Sequence, residues 1–102
     1  MNYVNLTPHA IALNDGRVYP ASGSVARVTS GFSAIVDDVC TQTFGDVQGL
    51  PDSQAGVRYI VSAMVLSALS GTRDDVVAPA TGHPDTVRND KGHIVSVPCF
   101  VR

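Results

Sequence analysis

The chain has 102 residues, a net charge of −2 and 44% hydrophobic content, enough for one small domain with a single core. One lysine beside six arginines gives no diffuse basic field, so nonspecific nucleic-acid binding is not expected, and the longest apolar run is far short of a membrane span. Only 16% of residues are charged, below the usual quarter, and so few charges on a small domain point to a homo-oligomer that covers part of its own surface.

Asn2 to Leu6 and Ala10 to Leu13 are short apolar runs separated by Thr7-Pro8-His9. Asn14-Asp15-Gly16 is a hairpin signal, because Asp-Gly accepts the positive φ values of a tight β-turn, and Arg17 to Tyr19 would be the return strand. Pro20 to Gly23 makes the next turn, and Ser24 to Thr29 alternates polar and apolar residues. Residues 2–29 therefore predict an N-terminal β-meander of three or four short strands. Ser30 to Pro51 shows no helical period; Ala34-Ile35-Val36 and Thr41 to Val47 have strand composition, which predicts one or two strands.

Arg58 to Val61 is a compact apolar run of the kind found in a strand buried on both faces. Ser62 is an N-cap candidate, Met64 to Leu69 supply about two helical turns, and Gly71 is placed to end them. Val76-Val77-Ala78 then starts a second buried strand, so residues 57–78 form a minimal βαβ-like crossover. One continuous helix from Tyr59 to Leu69 is the alternative, weakened by its β-branched and aromatic start. Arg88 to Gly92 reads as a turn and His93 to Val101 as a C-terminal strand, with Pro98 marking an edge or bulge. The expected fold class is α/β, or α+β: a small mixed sheet with a meander, one crossover and a last strand.

Ligands in open α/β sheets bind beyond the carboxyl ends of the parallel strands. This directs attention to the polar tract after the crossover, and to the Thr7-Pro8-His9 turn if the two meet. Thr81 and Gly82 offer a hydroxyl and backbone amides to an anion. Arg88 and Asn89 offer a phosphate or carboxylate clamp, with Arg58 or Arg73 as further cations. His9 is a directional hydrogen-bond donor or an acid/base near neutral pH. Each also has a plainer reading, as turn former or surface side chain. The sequence has neither GxxxxGK[ST] nor GxGxxG, no CxxC and no GxSxG elbow, so no cofactor, metal or nucleophile motif is present. Cys40 and Cys99 each adjoin apolar residues, which predicts buried free thiols. The opening residues lack a basic n-region and an apolar h-region, and the expected location is the cytoplasm.

Two segments, VNLTPHAI and VVAPATGHPDTVRNDKGHIVSV, together resemble a family of small phage- and prophage-encoded proteins of unassigned function. They cover about a third of the chain, and the family's usual TGP wording is here TGHP, so His83 is an insertion or replacement. The resemblance implies a phage or mobile-element origin. Small phage proteins without a catalytic constellation are similar in outline to anti-defence sponges, which sequester nucleotide-derived immune signals. The leading expectation is such a homo-oligomeric binder of a small anionic, nucleotide-like ligand, with Thr7, His9, Thr81, Gly82, Arg88 and Asn89 at the site. The alternatives are a nucleotide- or nucleoside-directed enzyme with His9 as acid/base, and a protein-interaction accessory module.

Overall fold

A computed structural model describes residues 2–102. The apolar runs become the strands Asn2–Asn5 (β1), Val57–Ile60 (β6), Val76–Pro79 (β7) and Phe100–Val101 (β10), which form one sheet in the order β1-β6-β7-β10. The shorter strands are Ile11–Ala12 (β2), Val18–Tyr19 (β3), Arg27–Phe32 (β4), Gln42–Gln48 (β5), Val87–Arg88 (β8) and Ile94–Ser96 (β9), paired as β2-β3, β4-β5 and β8-β9. β1, β6 and β7 run parallel, with Tyr3 opposite Arg58 and Tyr59 opposite Val76; β10 runs antiparallel to β7, with Phe100 opposite Pro79. The architecture is a mixed sheet with a βαβ-like crossover and a C-terminal strand, consistent with α/β.

The crossover helix Ala63–Leu69 (α1) starts where Ser62 caps it, its side chain accepting from the Val65 amide. It ends at Ser70 and Gly71, both in the left-handed region (φ 50° and 76°), which releases the chain toward β7. Tyr59, Val61 and Val76 turn toward this helix and pack with Leu6, Ala26 and Val65. Ile60, Val61, Val76 and Ala78 are wholly buried; burying a Val or Ile side chain contributes about 1.5–3 kcal/mol, so the crossover holds much of the stability. Arg73 and Asp75 brace the entry to β7: Arg73 Nε and Nη2 donate to the Asp75 carboxylate at 2.8 and 2.9 Å, and Nη2 also reaches the Pro51 carbonyl at 3.0 Å. Those bonds hold the Asp75 carboxyl down at about 2.

The first 29 residues differ from a meander. Only β2 and β3 pair consecutively, around the expected Asp15-Gly16 turn, while β1 joins the central sheet beside β6. The reason is burial: Val4-Asn5-Leu6 is the more buried run and is taken by the parallel sheet. Residues 27–48 form the long hairpin of β4 and β5, whose tip turns at Asp37 and Asp38 (φ 51° and 65°). Val28, Val47 and Leu50 seat its base on the core, and Gly49 (φ 80°) is required there, since a Cβ would meet the Val25 carbonyl oxygen at 2.6 Å. Beyond the base the hairpin projects, so the radius of gyration is 15.1 Å against about 13 Å for a compact chain of this length. Cys40 and Cys99 are free but exposed, a correction to the expected burial: Cys40 sits on the projecting hairpin, where apolar neighbours bring no cover. The last strand is broken into β9 and β10 around Val97-Pro98-Cys99. Among the described residues no helix is long and apolar enough to cross a membrane.

Candidate functional site

β1, β6 and β7 all end on the same side, and beyond their carboxyl ends lies a cavity of about 370 Å³. Thr7 and His9 enter it from β1, Ser62 and Ala63 from the join of β6 and α1, and Pro79 and Thr81 from β7. Ile11, Ala12 and the residues from Ile94 to Val97 close the other wall. The two segments singled out in the sequence, Thr7-Pro8-His9 and the tract after β7, meet here.

The turn is built by Asn5, which is 2% exposed. Its Oδ1 accepts from the Thr7 amide at 3.0 Å and the Thr7 hydroxyl at 2.6 Å, and its Nδ2 donates to the His9 and Tyr19 carbonyls, each at 2.9 Å. Every hydrogen-bonding position of the amide is used. The Thr7 hydroxyl also lies 2.9 Å from the His9 carbonyl, so its single proton is shared between two acceptors inside the turn. Thr7 therefore holds the loop, and the exposed His9 imidazole is the group delivered to the cavity. Asn5 is a positioning residue that sequence reasoning passed over, since a lone Asn at a strand end carries no signal by itself.

Thr81 lines the cavity, whereas Gly82, Arg88 and Asn89 do not. The Thr81 amide donates to the Pro79 carbonyl, and the His83, Asp85 and Thr86 amides are also engaged inside the loop, which is thereby preformed. Gly82 is exposed, and a Cβ there would meet nothing within 4 Å. Asn89 shapes the β8-β9 turn, its Oδ1 accepting from the Lys91 and His93 amides at 3.0 Å. Arg88 Nη1 donates to the Gly92 carbonyl at 3.0 Å and Nη2 to the Thr81 carbonyl at 3.2 Å. Both acceptors are neutral, so the guanidinium is fixed without being neutralised, one hydrogen bond away from a cavity residue. Among the described ion pairs no carboxylate meets Arg88. Arg73 is committed to Asp75 at the amino end of β7, and Arg58 lies on the sheet face turned away from α1.

The cavity is thus walled mainly by apolar side chains, with His9, Ser62, Thr81 and Ser96 as its polar points. That combination suits a small, flat ligand with a few hydrogen-bonding atoms. Among the described residues no three His, Cys, Asp or Glu side chains gather as a metal site. No protein-family model, curated protein or solved structure matches the chain.

Proposed function

We propose that the protein is a phage-type small-ligand binder that sequesters a nucleotide-derived signal in the host cytoplasm without transforming it. The observation that carries this reading is the preformed cavity at the carboxyl ends of three parallel strands, where the Asn5-pinned turn meets Thr81. Its apolar walls suit a nucleobase, His9, Ser62 and Thr81 suit the base edge or sugar, and the fixed Arg88 beside Thr81 suits a phosphate at the rim. Self-association belongs to the same reading. Phe32, Ile35, Val36 and Val39 are 66–75% exposed on one hairpin whose two edges are both open, and the same hairpin of a second copy would cover them about a two-fold axis.

Native mass spectrometry with a panel of nucleosides and cyclic and linear nucleotides tests both parts. One or more panel members should be retained and recovered with unchanged mass, by a species of two or more subunits. His9→Ala and Arg88→Ala should each weaken retention about tenfold. No retained compound anywhere in the panel overturns the binder. A product mass that disappears in His9→Ala would instead establish the enzyme acting through that histidine. A monomer at all concentrations overturns the hairpin contact alone.

A further inference from the structure

The sheet face turned away from α1 carries a cluster that the strand-end cavity does not use. The parallel register puts Tyr3 beside Arg58, the antiparallel one puts Phe100 beside Pro79, and the β2-β3 hairpin folds Tyr19 over both. The three rings pack on one another, with centroids 5.1 Å (Tyr3–Tyr19), 5.5 Å (Tyr3–Phe100) and 5.6 Å (Tyr19–Phe100) apart. The Arg58 guanidinium carbon lies 5.7 Å from the Tyr3 ring centroid, within cation–π range, and Nη1 donates to the Tyr3 hydroxyl at 3.1 Å. Arg17 and Arg102 join Arg58 around a recess of about 260 Å³, so three of the six arginines of a net-negative chain converge on one hollow.

The charges around this recess are incompletely balanced. Arg17 pairs with Asp15 at 2.8 Å, but the two side chains are 64% and 54% exposed, and such a pair contributes little and exchanges readily. Arg102 donates to the Asp74 carbonyl at 3.3 Å, not to a carboxylate. Asp74 and Asp75 border the adjoining groove beside Arg58 and Arg102, and Asp75 is already taken by Arg73. Half-buried Arg58 has no carboxylate within ion-pair distance among the described pairs. A partly desolvated cation without a counter-charge is costly, and an apolar side chain would fill the same sheet position more cheaply. An arriving oxyanion would supply the missing charge, and the guanidinium, held beside Tyr3 through Nη1, keeps its other N–H groups to donate to it.

We propose that this recess is a second binding site, for a small ligand that joins an oxyanion, phosphate or carboxylate, to a single planar ring. The ring would rest against the Tyr3–Tyr19–Phe100 cluster and the anion against Arg58, with Arg102 and Arg17 at the rim. The volume sets the size: pockets for drug-sized ligands run about 300–1,000 Å³, so a recess of about 260 Å³ suits a smaller molecule, one ring with one anionic group.

The test uses isothermal titration calorimetry, because phenyl compounds absorb and emit in the same band as the two tyrosines that line the recess. Phenyl phosphate, benzoate and phenol are titrated into the full chain. Phenyl phosphate or benzoate should give a saturable binding heat, the stronger of the two naming the anion, while phenol should not. Arg58→Ala should weaken that binding about tenfold or more, with Arg58→Lys between it and the wild type. Arg102→Ala, at the exposed rim, should weaken it severalfold and carries the test if Arg58→Ala does not fold. His9→Ala should leave it unchanged, which separates this site from the strand-end cavity. Equal binding of phenol, wild-type affinity in both arginine variants, or no saturable heat up to millimolar ligand would overturn the proposal.

Discussion

The crossover strands β6 and β7 and the hairpin strands β4 and β5 draw on similar β-branched and aromatic residues, yet they meet opposite surroundings. Tyr59, Ile60, Val76 and Val77 are at most 4% exposed, while Phe32 and Phe44 on the hairpin are 69% and 40% exposed. The crossover is held by what it buries. The hairpin is held by its ladder, by the Asp37-Asp38 turn and by the short base seated on α1. Strand composition alone does not separate these cases, and the difference decides where each region is fragile.

The sharpest contrast is a pair of truncations. Ile60→Ala removes a wholly buried side chain between two parallel neighbours and should cost about 2–5 kcal/mol in urea unfolding. Ile35→Ala, at 75% exposure, should stay within about 0.5 kcal/mol under conditions where the chain is monomeric. Comparable losses at the two sites would show that the hairpin is packed as the crossover is.

That contrast also explains what could be read in advance. Ser62, Gly71 and the two apolar runs announced β6, α1 and β7, because burial and capping both leave marks in sequence. The hairpin left fewer: Thr41 to Val47 had the composition of the strand that forms at Gln42–Gln48. With both faces in solvent past the base, no alternation was imposed on residues 30–48. Ala34-Ile35-Val36 fell at the tip instead of in a strand, and Cys40 beside Val39 looked buried when it is not. That Thr7, His9 and Thr81 lie at one cavity was legible from their place beyond strand ends, whereas Asn5, which fixes the turn, carried no such mark. The arginine–aromatic recess was illegible for a geometric reason. Tyr3, Tyr19, Arg58 and Phe100 come from four separate strands and meet only through pairing register.

Acid should probe the tie between the two regions. Arg73 holds both Asp75, at the start of β7, and the Pro51 carbonyl, just past the hairpin base. Asp75 is at about 2 in the folded chain against 3.8 for an ordinary aspartate, so its contribution is full above about pH 4 and is lost as pH falls through 2. At 14% side-chain exposure the loss should approach about 2 kcal/mol between pH 5 and pH 2. Asp75→Asn should remove that part of the acid dependence from urea midpoints while leaving the rest. An unchanged acid slope in the variant would show that the pair adds nothing to this tie.

A gain in stability, smaller than the loss at Ile60 or at Asp75, is expected at the hairpin tip. A two-residue turn with positive φ at both positions favours Asp-Gly over Asp-Asp, because the second residue then adopts its conformation without a Cβ penalty. Asp38, at φ 65°, occupies that second position, between the Val36 and Val39 amides and carbonyls that close the turn at 2.9 and 3.0 Å. Asp38→Gly should therefore stabilise the hairpin by up to about 1 kcal/mol, slowing hydrogen exchange at the Val39 and Ser33 amides roughly two- to fivefold. The Val61 amide, bonded to the Val77 carbonyl inside the crossover, should exchange at its original rate. Slowing at Val61 to the same degree would mean that the tip and the sheet open together. The hairpin would then be part of the cooperative core and not an arm free to pair with a second copy.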